Sequence, residues 1–185
     1  MTDVLPTERM TVDEFEAWLE TAPPGRYELV DGDVVAMAAE RMRHIRMKTA
    51  AFDALRASVL DLPCEALPDG AAVRVDDRTM REPDAALRCG EPLGPDETSY
   101  SDPVVIVEVT SPSTVRADEV DKLVDYARLD SLAHYVVVYS ERRIVVHHRR
   151  TPEGFATAIL PGGTLALDPP GIALDLEPIL AAAEG

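Results

Sequence analysis

The sequence predicts a single α/β domain, residues 1–185, with a central mixed β-sheet flanked by helices and preceded by a helix and a β-hairpin. Three patterns predict this class: strand, helix, strand between 104 and 139, short strands from 64 to 87, and an amphipathic helix over 41–60. A chain of 185 residues is long enough to bury one hydrophobic core.

The N-terminal elements carry clear boundary signals. Thr11 and Glu14 have the spacing of a capping box, which predicts a helix over 12–20. Asp31-Gly32 lies between two β-rich runs and tolerates the positive φ angles of a tight hairpin turn. The two predicted hairpin strands are 26–30 and 33–37.

Beyond the long helix the pattern changes to short strands and one crossover. The run 104–109 is apolar and β-branched, as in a strand covered on both faces, and the turn 110–114 leads out of it. A helix over 117–129 and a strand over 134–139 complete a crossover unit. The remaining predicted elements are a curved antiparallel set (64–67, 72–75, 84–87), a loop (90–103), late strands (144–148, 155–160, 164–167) and a short helix (177–183).

Composition excludes several classes of protein. Thirty-four acidic and 18 basic residues give a net charge of −16, which argues against coating nucleic acid or anionic membrane by bulk attraction. Cys64 and Cys89 are too few and too far apart for a disulfide scaffold or a zinc site, so we expect reduced thiols. Residues 1–10 lack a signal-peptide pattern, and we expect a cytoplasmic protein.

Glu108 is the most informative residue because it interrupts an apolar strand. A buried carboxylate is costly unless a cation or strong donors meet it. Alternation places Ile106, Glu108 and Thr110 on one face, with Glu108 near the strand end, where sites tend to form. A structural ion pair with Lys or Arg is the alternative interpretation.

Two further patterns gain meaning beside Glu108. Pro83-Asp84 opens another strand, and two carboxylates at neighbouring strand ends would suit a hard ion such as Mg²⁺. Asp118, Lys122 and Tyr126 share one helix face, from which Lys122 could reach back to a metal-bound water. An ordinary strand start and an exposed helical ion pair are the alternatives.

Several motifs in this order resemble the Uma-type family of restriction-endonuclease-like proteins, within the PD-(D/E)xK nuclease superfamily, from about residue 11 to 148. They are Tyr27-Glu28-Leu29-Val30-Asp31-Gly32, Pro83-Asp84, the segment from Val107 to Thr114, and the Asp118, Lys122, Tyr126 spacing followed by His134-Tyr135-Val136-Val137-Val138. The resemblance implies a restriction-endonuclease-like core and metal-dependent cleavage of DNA.

The resemblance also implies roles for individual residues. Asp84 and Glu108 would bind the metal ion, together with the main-chain carbonyl of Val109. The superfamily lysine expected two residues after Glu108 is replaced by Thr110, and Lys122 on the following helix would take its role.

Two residues nearer the N-terminus complete the implied site. Glu28 would be an additional acid at the pocket, with an exposed hairpin position as the alternative. His44 would touch the scissile phosphate or carry a proton, unless it is a surface residue.

The leading hypothesis is an endonuclease that uses Mg²⁺, or Mn²⁺ in its place, and acts on DNA. A homodimer is its expected assembly, because two-fold symmetry suits cutting both strands. A nuclease-fold protein that binds without cleaving, favoured by Thr110 and by the acidity, is a second hypothesis. A metal-dependent phosphohydrolase of small molecules is the third.

Positive charge is concentrated in two segments that could meet a phosphate backbone. Residues 41–60 carry a net charge of +4 and residues 141–160 a net charge of +2. We expect weak, salt-sensitive binding of DNA through these two basic islands. Their candidate contacts are Arg41, Arg43, Arg46 and Lys48 in the first and Arg142, Arg143, Arg149 and Arg150 in the second.

Overall fold

The computed structural model describes residues 5–110 and 116–183, with the backbone alone over 116–119. Its helices are α1 (Val12–Leu19), α2 (Met42–Ser58), α3 (Arg116–Ala127) and α4 (Glu177–Ala181). Its strands are β1 (Tyr27–Val30), β2 (Asp33–Ala36), β3 (Cys64–Pro68), β4 (Ala72–Arg74), β5 (Met80–Arg81), β6 (Ala85–Cys89), β7 (Ser99–Tyr100), β8 (Pro103–Thr110), β9 (His134–Tyr139), β10 (Ile144–Thr151), β11 (Gly154–Leu160), β12 (Thr164–Leu167) and β13 (Ile172–Asp175).

A six-stranded mixed sheet in the order β11-β10-β9-β8-β6-β3 forms the centre of the protein. Strands β8 and β9 are parallel, and their neighbours run antiparallel to them. Helix α3 connects β8 to β9, which is the predicted crossover unit. The mixed α/β fold class is therefore confirmed.

Helices cover both faces of this sheet. Helix α2 places Met47, Ala51 and Leu55 on one face, where α4 and the β12–β13 ribbon complete the apolar cluster. On the opposite face, Tyr126 of α3 packs with Ile106 and other sheet residues. Strand β8 is thus covered on both sides, as its apolar sequence predicts.

The short middle strands do not form one antiparallel set, so that prediction is wrong. Strands β3 and β6 pair in the large sheet, whereas β4 joins a second sheet in the order β2-β1-β5-β4-β7. The chain leaves the large sheet at Gly70, whose φ of +96° suits a turn that other residues rarely adopt. Strands β5 and β7 have two residues each, too few to show a sequence pattern.

The cysteines also differ from expectation. Cys64 and Cys89 face each other across β3 and β6 and form a disulfide, so the prediction of reduced thiols is wrong for this structure. Their separation of 25 residues gave no indication of strand register, which alone brings them together. Within the described ranges, the helices are too short or too polar to cross a bilayer.

Candidate active site

The candidate site lies where the carboxyl ends of β8 and β9 approach the N-terminal half of α2. Ala85 pairs with Val107, so Asp84, the residue before it, comes opposite Glu108 on β8. Helix α3 contributes Lys122 from the far side. Four separate elements therefore converge at the site. Because each contributes only one or two residues, each sequence motif taken alone is a weak indication of the site.

Asp84 is 4% exposed and has both carboxylate oxygens engaged. The backbone amide of Val109 donates to Oδ2 at 2.6 Å, and His44 Nε2 lies 3.4 Å from the same oxygen. Lys48 Nζ lies 2.7 Å from Oδ1. The carboxylate is thus held by a strand amide, an imidazole and an ammonium group.

Glu108 is equally enclosed, at 5% exposure, but has a different set of partners. Lys122 Nζ donates to Oε2 at 2.9 Å, and the Tyr126 hydroxyl donates to Oε1 at 2.8 Å. Lys122 and Tyr126 are one turn apart on α3, so the predicted shared face is confirmed. The side chain of Asp118, the third member of that pattern, lies outside the described residues.

The two carboxylates differ in the direction of their pKa shifts. Burial raises the pKa of Glu108 to about 7, opposed by Lys122 and reinforced by the negative charge of Asp84. Burial acts the same way on Asp84, but the His44 hydrogen bond and the charges of Lys48 and Lys122 outweigh it and lower its pKa. Asp84 therefore stays ionised at neutral pH while Glu108 titrates there.

Lys122 remains a cation despite its enclosure. Burial favours its neutral form, yet the negative charges of Glu108, Glu28 and Asp84 outweigh this effect and raise the pKa of Lys122. A charged ammonium group is consequently available beside Glu108 across the physiological pH range.

Glu28 is buried rather than exposed on the hairpin, which excludes the surface interpretation. Its Oε2 accepts from Arg81 Nη1 at 2.9 Å, and its Oε1 accepts from the Glu82 amide at 3.0 Å. Arg81 also donates to Asp125 Oδ2 on α3. Glu28 thus belongs to a buried ion-pair network. Its negative charge helps to raise the pKa of both Glu108 and Lys122.

The sequence interpretation did not identify Glu40, and it assigned Lys48 to phosphate contact. Both residues contribute to the site through contacts with other segments of the chain. Glu40, His44 and Asp84 place ligand atoms within 4.8 Å of one another, a spacing that one metal ion can bridge. Lys48 contacts Glu40 and Asp84 and is only 3% exposed. Glu40, His44 and Lys48 are four residues apart in sequence, which was the usable signal. In the structure only His44 and Lys48 lie on α2, since Glu40 precedes the helix.

Only part of each basic island lies near this site, namely the start of α2 and the β9–β10 turn. Arg43 Nη2 on α2 lies 3.5 Å from Glu141 Oε1, and the Ser140 amide donates to the Thr110 carbonyl at 3.1 Å. The β9–β10 turn is therefore adjacent both to α2 and to the end of β8. The start of α2 and the β9–β10 turn, each of which carries arginines, therefore lie at the same end of the sheet.

Two of the candidate phosphate contacts are engaged inside the protein. Lys48 is buried against carboxylates, so it is not a surface contact. Arg150 lies 4.8 Å above the Phe155 ring and donates to three main-chain carbonyls, those of Ala127, Leu129 and Leu132. Arg41, Arg46, Arg142 and Arg149 are exposed. Arg149 pairs with His134 at the start of β9, however, and so lies at the opposite end of the sheet from the site.

A mixed sheet with two buried carboxylates and a lysine at its edge defines the restriction-endonuclease-like class of protein. A family model described as "Uma2: Putative restriction endonuclease" matches residues 12–182. The chain belongs to this family, which confirms the resemblance drawn from its motifs and supports a nuclease function acting on nucleic acid.

Comparison of structures agrees with this assignment. The fold is similar to that of a crystal structure described as a putative nuclease belonging to DUF820 from Anabaena variabilis ATCC 29413, with a TM-score of 0.74. The two chains share 13% sequence identity, and the match covers 94% of this chain and 99% of the other. Comparison with the curated proteins gives no match.

Proposed function

We propose that this protein is a Mg²⁺-dependent endonuclease that hydrolyses phosphodiester bonds of DNA, with Mn²⁺ as a substitute ion. The observation that carries the proposal is the pair of buried carboxylates, Asp84 and Glu108, each in contact with its own lysine ammonium. Two exposed arginines on α2, Arg41 and Arg46, add positive charge for a phosphate backbone.

The donor set fits a hard divalent ion. Asp84, Glu108 and the main-chain carbonyl of Val109 supply oxygen ligands, and Glu28 supplies a further negative charge near them. A bound ion would polarise a phosphoryl oxygen and lower the pKa of a water molecule.

The protein's own groups would orient the reactants. Lys122, held by Glu108 at 2.9 Å, is placed to orient the attacking water and to offset negative charge that grows on the phosphoryl oxygens. Tyr126 fixes Glu108 from the other oxygen and so sets its direction. His44, a quarter exposed, is suited to give a proton to the departing oxygen.

A second candidate function is a nuclease-fold protein that binds nucleic acid without cleaving it. Thr110 stands where the superfamily has its lysine, and the net charge of −16 opposes binding of a duplex. A small-molecule phosphohydrolase would use the same carboxylates.

We include a homodimer in the main proposal, since cleavage of both strands suits two-fold symmetry. Sedimentation analysis measures the oligomeric state directly.

The test combines three substrates with matched variants. Supercoiled plasmid, a single-stranded oligonucleotide and bis(p-nitrophenyl) phosphate are incubated with the wild type, Asp84→Asn and Glu108→Gln, in Mg²⁺ or Mn²⁺. Asp53→Asn is the control, because Asp53 is an exposed carboxylate on α2. We expect cleavage of DNA by the wild type and the control and its loss in both site variants.

Other outcomes separate the hypotheses. Cleavage that persists in both site variants overturns the proposed site. Absence of cleavage together with absence of metal binding by calorimetry favours the binding protein, whereas hydrolysis of the phosphate diester alone favours a small-molecule enzyme. Lys122→Met should retain metal binding while cleavage slows by about 10²-fold or more, and full activity in that variant removes the role of Lys122.

A further inference from the structure

The protein uses lysine in only two places, and both are in the candidate site. Among its 18 basic residues, Lys48 and Lys122 are the only lysines. Lys48 is 3% exposed and contacts Asp84, while Lys122 is 15% exposed and contacts Glu108. The role of Lys122 is part of the proposed function, whereas that function leaves Lys48 without one.

Lys48 Nζ sits where three carboxylates converge. It lies 2.7 Å from Asp84 Oδ1 and 3.3 Å from Asp69 Oδ1, and it also contacts Glu40 Oε1. The three acids come from three separate segments of the chain. A compact ammonium group with three donors satisfies them together, which the planar fork of arginine would not do in the same volume.

A divalent ion and this ammonium group compete for Asp84. The Oδ2 atom is bound to the Val109 amide, which strand β8 holds in place, whereas Oδ1 is bound to the flexible end of Lys48. Two cations on one buried carboxylate repel each other strongly at low dielectric constant. Binding of the ion through Asp84 therefore requires Lys48 to leave that carboxylate.

The structure offers Lys48 other partners when it leaves. Glu40 and Asp69 both contact its ammonium group already, so its charge need not be buried alone. Arg26 holds Asp69 in place, with Nη1 2.9 Å from Oδ2. The change thus needs only rotation of one long side chain between carboxylates it already touches.

We propose that Lys48 is a resident cation that holds Asp84 in position in the metal-free protein and is exchanged off Asp84 when a divalent ion binds. Lys48 is in this sense a positioning residue, and its presence lowers the affinity for the ion. The proposal rests on the proposed function in one respect, the use of Asp84 as a metal ligand.

The first experiment measures Mn²⁺ affinity by calorimetry without DNA. We expect Lys48→Met to bind Mn²⁺ about tenfold more tightly than the wild type or better, since the variant lacks the cation that competes with the ion for Asp84. Arg56→Met is the matched control, because it removes an exposed positive charge from the same helix. Equal or weaker binding by a folded Lys48→Met overturns the proposal.

The second experiment keeps the wild-type chain and so does not depend on how the variant folds. Protein labelled with ¹³C,¹⁵N-lysine has two sets of side-chain signals, which Lys122→Arg assigns. We expect the Cε signal of Lys48 to shift during a Mg²⁺ titration and to saturate with the calorimetric affinity. A Lys48 signal that does not move at saturating Mg²⁺ overturns the exchange.

Asp84→Asn distinguishes this proposal from the function on which it rests. If that variant binds Mn²⁺ as the wild type does, the metal site of the proposed function fails. If it loses binding while Lys48→Met keeps the wild-type affinity, the metal site stands and only the role of Lys48 fails.

Discussion

Arg81 illustrates how a single residue sets the environment of the site without touching Asp84 or Glu108. Its guanidinium, 3% exposed, binds Glu28 through Nη1 and Asp125 through Nε and Nη2. Three hydrogen bonds to two carboxylates use the fork geometry that only arginine offers. The α3 helix and the β1–β2 hairpin are thereby joined through one buried cation.

Removing that cation should therefore cost far more than removing a surface one. We expect Arg81→Met to lower the free energy of unfolding by about 3–5 kcal/mol, since it removes the buried cation that Glu28 and Asp125 share. Arg74→Met removes an arginine paired with the exposed Asp13 and should cost less than about 1 kcal/mol. Urea denaturation of both variants measures the difference, and similar values for the two would contradict the structural role of Arg81.

At this scale the sequence indicates Glu108, because its charge interrupts an apolar strand, and Asp84 gains meaning only beside Glu108. It does not indicate that Lys48 and Asp69 meet Asp84. Those contacts join segments that become neighbours only when β3, β6 and α2 pack together, and no local pattern encodes such packing. Long-range ion pairs are for this reason the part of the site that sequence reasoning missed.

Among the elements, those with several periods of hydrophobic pattern were predicted closely. Helix α1 has its capping box, with the Thr11 side chain and the Glu14 carboxylate bonded reciprocally as expected. Strand β9 has the predicted bounds. Strands β5 and β7 were missed because two residues cannot establish a period. The second sheet, which contains both strands, was missed for the same reason.

The β9–β10 pair contains a buried contact between two imidazoles. His134 Nδ1 and His147 Nε2 are 2.9 Å apart, so the N–H of one ring donates a hydrogen bond to the other ring. Burial and the positive charge of neighbouring His134, His148 and Arg149 lower the pKa of His147 from 6.5 to about 4. Burial likewise lowers the pKa of His134.

This pair should make stability depend on pH in a defined direction. Between pH 6.5 and about 4 the unfolded chain holds a proton on His147 that the folded protein lacks, so stability falls as the pH is lowered through this range. The loss should reach about 2–3 kcal/mol. Above pH 6.5 both states are neutral at this residue, and no further change is expected from it.

His147→Gln provides the test, because the amide keeps a hydrogen-bonding partner for His134 and does not titrate. The difference in unfolding free energy between wild type and variant, measured by urea denaturation, should be constant above pH 7 and shift in favour of the variant towards pH 4. His148→Gln, whose ring bonds Thr157 near the surface, serves as the comparison. A difference that does not change with pH would contradict the assignment.

For the whole molecule, the distribution of charge matters more than its total. The net charge of −16 repels a duplex at long range. The start of α2 and the β9–β10 turn, which both carry arginines, are nevertheless joined by the ion pair between Arg43 and Glu141. Under the proposed function, a phosphate backbone that passes between them would approach Asp84 and Glu108. Because the overall acidity repels DNA at long range, binding must occur through a few contacts at close range.

Few phosphate contacts against a repulsive background predict weak DNA binding with a clear salt dependence. We expect Arg46→Ala to lower affinity for every sequence alike and to reduce the slope of log K against log salt by about 1, since each neutralised phosphate contributes about 0.9. Fluorescence anisotropy of a labelled duplex between 50 and 200 mM salt, without divalent ion to prevent cleavage, measures both quantities.

Arg56→Ala is the matched control, because Arg56 lies in the last turn of α2, ten residues or roughly 15 Å of helix from Arg46, and pairs with Asp53. Both variants raise the net negative charge equally, so a purely long-range effect would change their binding to the same extent. Local contact with the backbone predicts instead that Arg46→Ala alone changes the salt slope. Equal slopes in the two variants would remove the α2 island from the path of the DNA.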